Sequence, residues 1–299
     1  MRLQRLHRPP ASSRRAGVLL AAAGAALLTL VSGCSSPESG SAAASPSPEA
    51  GSLPSGHVHG VAVGPDGALL LATHEGLVGV SESGQLTSIG PVIDLMGFAV
   101  SGADHYLASG HPGPGVDLPQ PVGLIESTDG GRTWTALSRQ GESDFHALTV
   151  SDAGVLGYDG SLLRSTDGRT WEQLQIPAEP HTLAAAPGGT SVLATTQQGL
   201  LRSADAGSSW SPVDSAPLLQ VVDWAEDGTT AVGVDPAGTV WTSTDAAGSW
   251  QERAQLGAAP HAVTAASADD GTIRIAVVTA EALLESQDGG QTFTVLLEH

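Results

Sequence analysis

The 299-residue sequence contains no lysine, one cysteine and few aromatics, which make up 4% of it. A single thiol, Cys34, excludes an internal disulfide, so the fold holds by burial and hydrogen bonding alone. The twelve basic residues, all arginine, are unevenly spread. Arg2, Arg5, Arg8, Arg14 and Arg15 precede Cys34; seven follow it against 31 acidic residues, a formal charge of −24. Such a surface repels phosphate backbones and argues against nucleic acid as a partner. It favours cations and neutral ligands. The apolar run 16–31 is shorter than the ~20 residues a spanning helix needs. No segment carries a convincing helical period. Glycine is in excess, at 38 residues, which suits a β-rich chain with many tight turns.

The solitary cysteine has a setting that explains it. A basic stretch, the apolar run and then Val31-Ser32-Gly33-Cys34 follow one another. This resembles the lipobox of bacterial lipoproteins. It implies a signal peptide over 1–33, a cysteine that receives diacylglycerol, and export to the outer face of the cell membrane. Arg14-Arg15 fits a twin-arginine signal as well as a general export signal. Residues 35–56 are mostly Ser, Pro, Ala and Gly and cannot bury a core, so 34–56 reads as a lipidated cysteine with a flexible tether.

From His57 the chain repeats itself. Five segments fit Ser-x-Asp-x-Gly-x-Thr-Trp: Ser127–Trp134, Ser165–Trp171 (one residue short), Ser203–Trp210, Ser243–Trp250 and Ser286–Phe293. A worn copy begins at Ser81. These segments resemble the Asp-box, or BNR, repeats of sialidases, sortilin-type receptors and photosystem assembly propellers. In such a turn, Gly accepts positive φ while Asp and Ser/Thr side chains bond the turn's own backbone. Asp129, Asp167, Asp205, Asp245 and Asp288 are therefore read as structural. Each repeat holds four short β-like stretches, and six units begin near residues 57, 94, 144, 180, 219 and 260. The expected fold is all-β: a six-bladed β-propeller over 57–299 with Asp-box hairpins, seven blades being the other count considered. Each unit runs from an inner to an outer strand, so the ring is expected to close without strand exchange.

Aligning the six units places His59, Met96, His146, His181, Gln220 and His261 in one column, just before the inner strand. The loops between second and third strands add His74-Glu75, His111, Tyr158-Asp159, Gln197, Asp235 and Glu281 to the same face; His57, Asp94 and Asp144 lie close in sequence. His105 falls in a hairpin on the opposite face, with the Asp-boxes. Three readings of the histidines stay open: a hydrogen-bonding residue repeated with the blade, a polar ligand site, or a metal site. Imidazole suits zinc or copper, and Met96 tilts toward copper. His57, His74 and His111 break the repeat pattern, which ranks them first, with His59 and His146 beside them. The Pro/Gly-rich segment 111–122 is a candidate binding loop or a surface elaboration.

Two functions compete at this point. One is a binding module for a metal ion, a small polar ligand or a protein, expected to be monomeric. The other is a glycoside hydrolase. Segments such as Gly110–Gly115 and Asp144–Leu148 resemble short bacterial lipoproteins classed as sialidase-like glycosyl hydrolases; a glycosidase of another type would use a carboxylate pair drawn from Glu75, Asp94, Asp159 or Asp235, with Glu75 and Asp159 the catalytic candidates. Sialidases clamp a sugar carboxylate with three arginines. Here Arg132, Arg164, Arg169 and Arg202 sit in or beside the Asp-boxes, and Arg139, Arg253 and Arg274 fall in outer strands or hairpins, so no such triad forms. Fold alone licenses no activity.

Overall fold

The structure is a computed structural model that describes residues 51–54, 56–268 and 270–299. Residues 1–33, expected as a signal peptide, Cys34, and the expected tether up to residue 50 lie outside the described residues. Among the described residues there is no helix, and the strands form six small sheets, antiparallel but for one strand. These are six blades, in agreement with the count read from the repeats. Blade 1 consists of Val58–Val63, Leu69–Thr73, Gly76–Val80 and Leu86–Ile89. Blade 2 runs from Ile93–Gly102 to Thr135–Ser138, blade 3 from Ala147–Ser151 to Glu172–Leu174, and blade 4 from Pro180–Ala185 to Ser211–Pro212. Blade 5 runs from Val221–Trp224 to Gln251–Gln255, and blade 6 from Pro260–Ser267 to Thr294–Glu298. Blades 1 to 5 are each built from consecutive strands, whereas the N-terminal Gly51–Ser52 joins the four consecutive strands of blade 6, so the expectation of closure without strand exchange is corrected there.

Burial explains the pattern. The second strand of blade 1, Leu69–Thr73, is buried along its whole length. Its alternate residues serve two layers. Leu69 and Leu71 pack with Val278, Leu283 and Leu297 of blade 6, while Leu70 and Ala72 pack with Ile93, Leu95 and Tyr106 of blade 2. A strand apolar on both faces is the signature of a sheet sandwiched between neighbours. The outer strands are exposed, as Leu86–Ile89 shows. The aromatics closing the boxes, Trp134, Trp171, Trp210, Trp250 and Phe293, pack half-buried against the interblade clusters.

The box turns have the expected internal bonding. In the first, Ser127 Oγ donates to Asp129 Oδ1 at 2.9 Å, and the Thr133 hydroxyl donates to Asp129 Oδ2 at 2.6 Å. The same hydroxyl contacts hold Asp205 through Ser209, Asp245 through Ser249 and Asp288 through Thr292. Gly130 and Gly131 take φ of 72° and 85°, where a Cβ is disfavoured. Because strands alternate in direction, these third-to-fourth hairpins share one face. The second-to-third loops and the connections between blades share the other.

One boundary differs from expectation. The tether does not run to residue 56: Gly51–Ser52 forms a fifth strand on blade 6, parallel to Leu297–Glu298, and Leu53 N donates to Glu298 O at 2.7 Å. The outer strand of the last blade offers an open edge, and backbone pairing to it needs no particular side chains. Leu53 then buries itself in the cluster between blades 6 and 1.

Candidate functional site

The inner strands line a central channel of about 600 Å³. At one mouth, backbone irregularity aims the side chains. Register shifts in the pairing of first and second strands fall between Val58 and Gly60, Leu95 and Gly97, Pro180 and Thr182, and Pro260 and Ala262. The skipped residues are His59, Met96, His181 and His261, four of the six in the column read from sequence. An extra residue in a strand bends it locally and re-aims its side chain. In blade 3 the anchor is Phe145, fully buried over Gly157 with its N–H on Ser109 Oγ at 2.9 Å. That leaves the flanking Asp144 and His146 partly exposed at the mouth.

The result is an imidazole–carboxylate chain across blades 1 to 3. His59 Nε2 lies 3.3 Å from His74 Nε2. His74 Nδ1 lies 2.8 Å from Asp94 Oδ1, and His111 Nδ1 lies 3.4 Å from Asp94 Oδ2. His111 Nε2 is 3.3 Å from Asp144 Oδ2, which is 3.7 Å from His146 Nε2. The other Asp144 oxygen, Oδ1, is buried without a hydrogen-bond partner. His57 joins from the side: its ring centroid is 4.9 Å from that of His59, and it stacks on His261 of blade 6 at 4.5 Å. Nitrogens of His57, His59 and His74 all lie within 4.8 Å of one another, a grouping that can hold a metal ion.

His59 is held as a neutral imidazole. Burial, and then the neighbouring His74 and His57 rings, push the pKa of His59 down to about 4. His59 therefore presents a lone pair near pH 7. Burial and His57 lower His261 as well. Two nitrogens bound 2.0–2.1 Å from one tetrahedral ion stand about 3.3 Å apart, which is the His59–His74 separation.

Of the residues singled out from sequence, His57, His59 and His74 come together, and His111 and His146 are joined to them through Asp94 and Asp144. Glu75 is exposed next to His74. Asp159, the other carboxylate read as a catalytic candidate, lies on the loop between the second and third strands of blade 3. It accepts the Ser143 hydroxyl at 2.6 Å and pairs with Arg139 at 3.7 Å, so it braces the loop before Asp144. Arg139 belongs to that connection between blades 2 and 3, not to a strand or hairpin. Gln220 donates to Pro260 O at 2.6 Å and ties blades 5 and 6. Asp235 caps its own turn through the N–H groups of Ala237 and Thr239. The segment 111–122 is pinned rather than free: Val116 and Leu118 pack on the blade 1–2 cluster and Val122 is fully buried. His105 pairs with Glu126 on the opposite face at 2.8 Å, as expected. Asp94, expected close to the histidines and as one of four candidate carboxylates, is the link between His74 and His111.

No protein-family model matches the chain. It is 29% identical over 152 residues to a xyloglucanase of a Paenibacillus species, across 46% of this chain and 13% of that protein. It is 27% identical over 140 residues to the photosystem II assembly lipoprotein Ycf48 of Synechococcus sp. strain CC9902, across 40% of this chain and 42% of that one. Among solved structures, the GH74 xyloglucanase of Xanthomonas campestris aligns with a TM-score of 0.53 at 20% identity, covering 83% of this chain and 46% of that one. The chain is a β-propeller. It spans less than half the length of each of these relatives, and the structural likeness at 20% identity shows the fold alone.

Proposed function

We propose that this protein is an exported, lipid-anchored propeller that holds a divalent transition-metal ion, zinc or copper, at the channel mouth. His57, His59 and His74 are the ligands, and Asp94 orients His74 from behind. The observation that carries the reading is the convergence of three imidazoles, with the 3.3 Å His59–His74 separation suited to a shared ion. Surrounding acids raise the local concentration of cations. His111, Asp144 and His146 extend the site as an outer polar shell. The lipobox at Cys34 supports the anchor and the outer face of the cell membrane as the location.

Calorimetric titration of the full chain with zinc and with copper tests this. One ion should bind per chain, and His74→Ala and His59→Ala should each weaken binding at least tenfold. A parent that binds neither ion, or variants that bind as the parent does, would sink the proposal.

A second reading, docking of a protein partner, draws on the likeness to an assembly lipoprotein. The −24 charge of the chain after Cys34 makes such a partner basic on its contacting surface. Glycoside hydrolysis has weaker support. The xyloglucanase relative matches over 13% of its own length, and Asp159 is committed to Ser143 and Arg139.

A further inference from the structure

The opposite face holds a feature that the channel mouth does not account for. Arg164 and Arg202 occupy the same place in successive blades, immediately before the box serines Ser165 and Ser203. Arg164 is fully used. Its guanidinium pairs with Glu172 across the blade at 2.6 Å and bonds the next blade's box at Asp205 O, Ala206 O and the Ser208 hydroxyl, the last at 2.8 Å. Arg202 has none of this. Its cross-strand neighbour is Ser211 where Arg164 has Glu172. The next box offers Gly248 where the preceding one offers Ser208. Two acceptors have been removed by two residue differences. Nε of Arg202 is buried without a hydrogen-bond partner, and among the described residues no other arginine lacks one.

Arg202 also lines a groove of about 420 Å³ between blades 4 and 5, with Ser209, Ser211, Asp214 and Gly248. A second buried donor without an acceptor, Nε1 of Trp250, packs in one cluster with Val213 and Ala247, both of which line that groove. A buried donor left unbonded is costly and calls for an acceptor.

We propose that this groove is a carboxylate-binding site with Arg202 as its recognition residue. The planar guanidinium matches a carboxylate in a two-bond fork. Asp214 on the lining and the strongly acidic surface disfavour a dianion, so a singly charged carboxylate, whether of a small acid or of a peptide C-terminus, is the ligand class. The site lies on the box face and is independent of the metal reading.

The test labels the arginines of the full chain with ¹⁵N, which yields side-chain Nε–H signals from only twelve residues. The chain is titrated with sodium acetate and with inorganic phosphate at fixed ionic strength, with chloride as reference. The Arg202 Nε–H signal should shift saturably with acetate, and phosphate should bind more weakly. Asp214→Asn should tighten acetate binding. The double variant Ser211→Glu with Gly248→Ser rebuilds the partners that Arg164 enjoys and should abolish it, leaving the fold intact. A peptide with a free C-terminus, compared with its C-terminal amide, separates the two carboxylate sources. No saturable acetate shift, tighter phosphate binding, or undiminished binding in the double variant would each overturn the proposal.

Discussion

Nδ1 of His74 lies 2.8 Å from Oδ1 of Asp94, and this contact decides which nitrogen of His74 is available to a ligand. A His74 that donates Nδ1–H to this carboxylate leaves Nε2, 3.3 Å from His59 Nε2, for a ligand. A carboxylate behind a metal-binding histidine fixes the tautomer and raises ligand basicity, and losing it typically costs about 10–100-fold in metal affinity. Asp94→Asn should weaken zinc binding by that factor while the protein stays folded. His105→Ala, on the other face, should leave affinity unchanged. Competition titration against a chelator checks both; equal affinity in parent and Asp94→Asn would count against the site.

The anchor has its own test. Cys34→Ser removes the thiol that would receive lipid. The variant should move from the membrane fraction to the soluble fraction after export, as judged by fractionation and immunoblot. A lipoprotein carries at least two acyl chains, enough for stable attachment. Continued membrane association of the variant would refute lipid anchoring.

The box tryptophans are half-buried rather than enclosed. Full burial would put the cost of Trp→Ala at about 3–5 kcal/mol. Partial burial of Trp134 lowers the expectation to about 1.5–3 kcal/mol by the area it hides. The urea midpoint of Trp134→Ala should fall accordingly. A change below 0.5 kcal/mol, the level of an ordinary surface substitution, would mean that the box rings do not bind blade to blade.

Much of this architecture was legible because repetition makes local signals redundant. The five boxes, the worn copy at Ser81 and the four β-like stretches of each unit marked out six blades, and Asp129 and its counterparts behave as their motif implies. The shared face of the histidines followed from aligning the six units and from strand alternation. The rest depended on information a single strand does not carry. Gly51–Ser52 pairs through backbone groups, so its composition read as tether. The roles of Asp94 and Asp159 are set by partners 20 and 16 positions away, His74 and Ser143. The bulges at His59 and His261 are two-against-one register shifts, invisible until the neighbouring strand is placed. The value of Arg202 emerged only beside Arg164.

Phe145 offers a further check on how the mouth is held. A Cβ on Gly157 would lie 2.5 Å from Cδ1 of the Phe145 ring. Gly157→Ala must push that ring outward. Overpacking of this kind costs about 1–3 kcal/mol, and the displaced loop carries Asp144 and His146. The variant should lose stability and change the His111 and His146 ring resonances while the Asp-box amides keep their shifts. Unchanged histidine resonances would show that Phe145 does not position the site.

The last prediction concerns pH. Burial raises the pKa of Asp223 in the channel wall to about 6, even though its carboxylate accepts the Ala265 N–H at 3.1 Å. In the unfolded chain the group titrates near 3.8. Between these values the folded state keeps a proton that the unfolded state has lost, so the Asp223 contribution to stability falls as pH rises from about 4 to 6. His59 acts in the opposite sense over almost the same range. Its folded value of about 4 lies below the ordinary 6.5, so the unfolded state binds the extra proton and stability rises with pH. The parent curve therefore mixes two opposed slopes, and the difference from a variant isolates one. Asp223→Asn keeps an acceptor for Ala265 and removes the titration. Relative to the parent it should gain stability between pH 4 and 6 and hold a constant advantage above 6. The full shift would correspond to about 3 kcal/mol; channel water screens part of it, so about 1–2 kcal/mol is expected. Urea unfolding of both proteins at unit steps from pH 4 to 8 measures the difference directly. A difference that is flat across this range, or that shrinks as pH rises, would show that Asp223 ionises in the channel without cost.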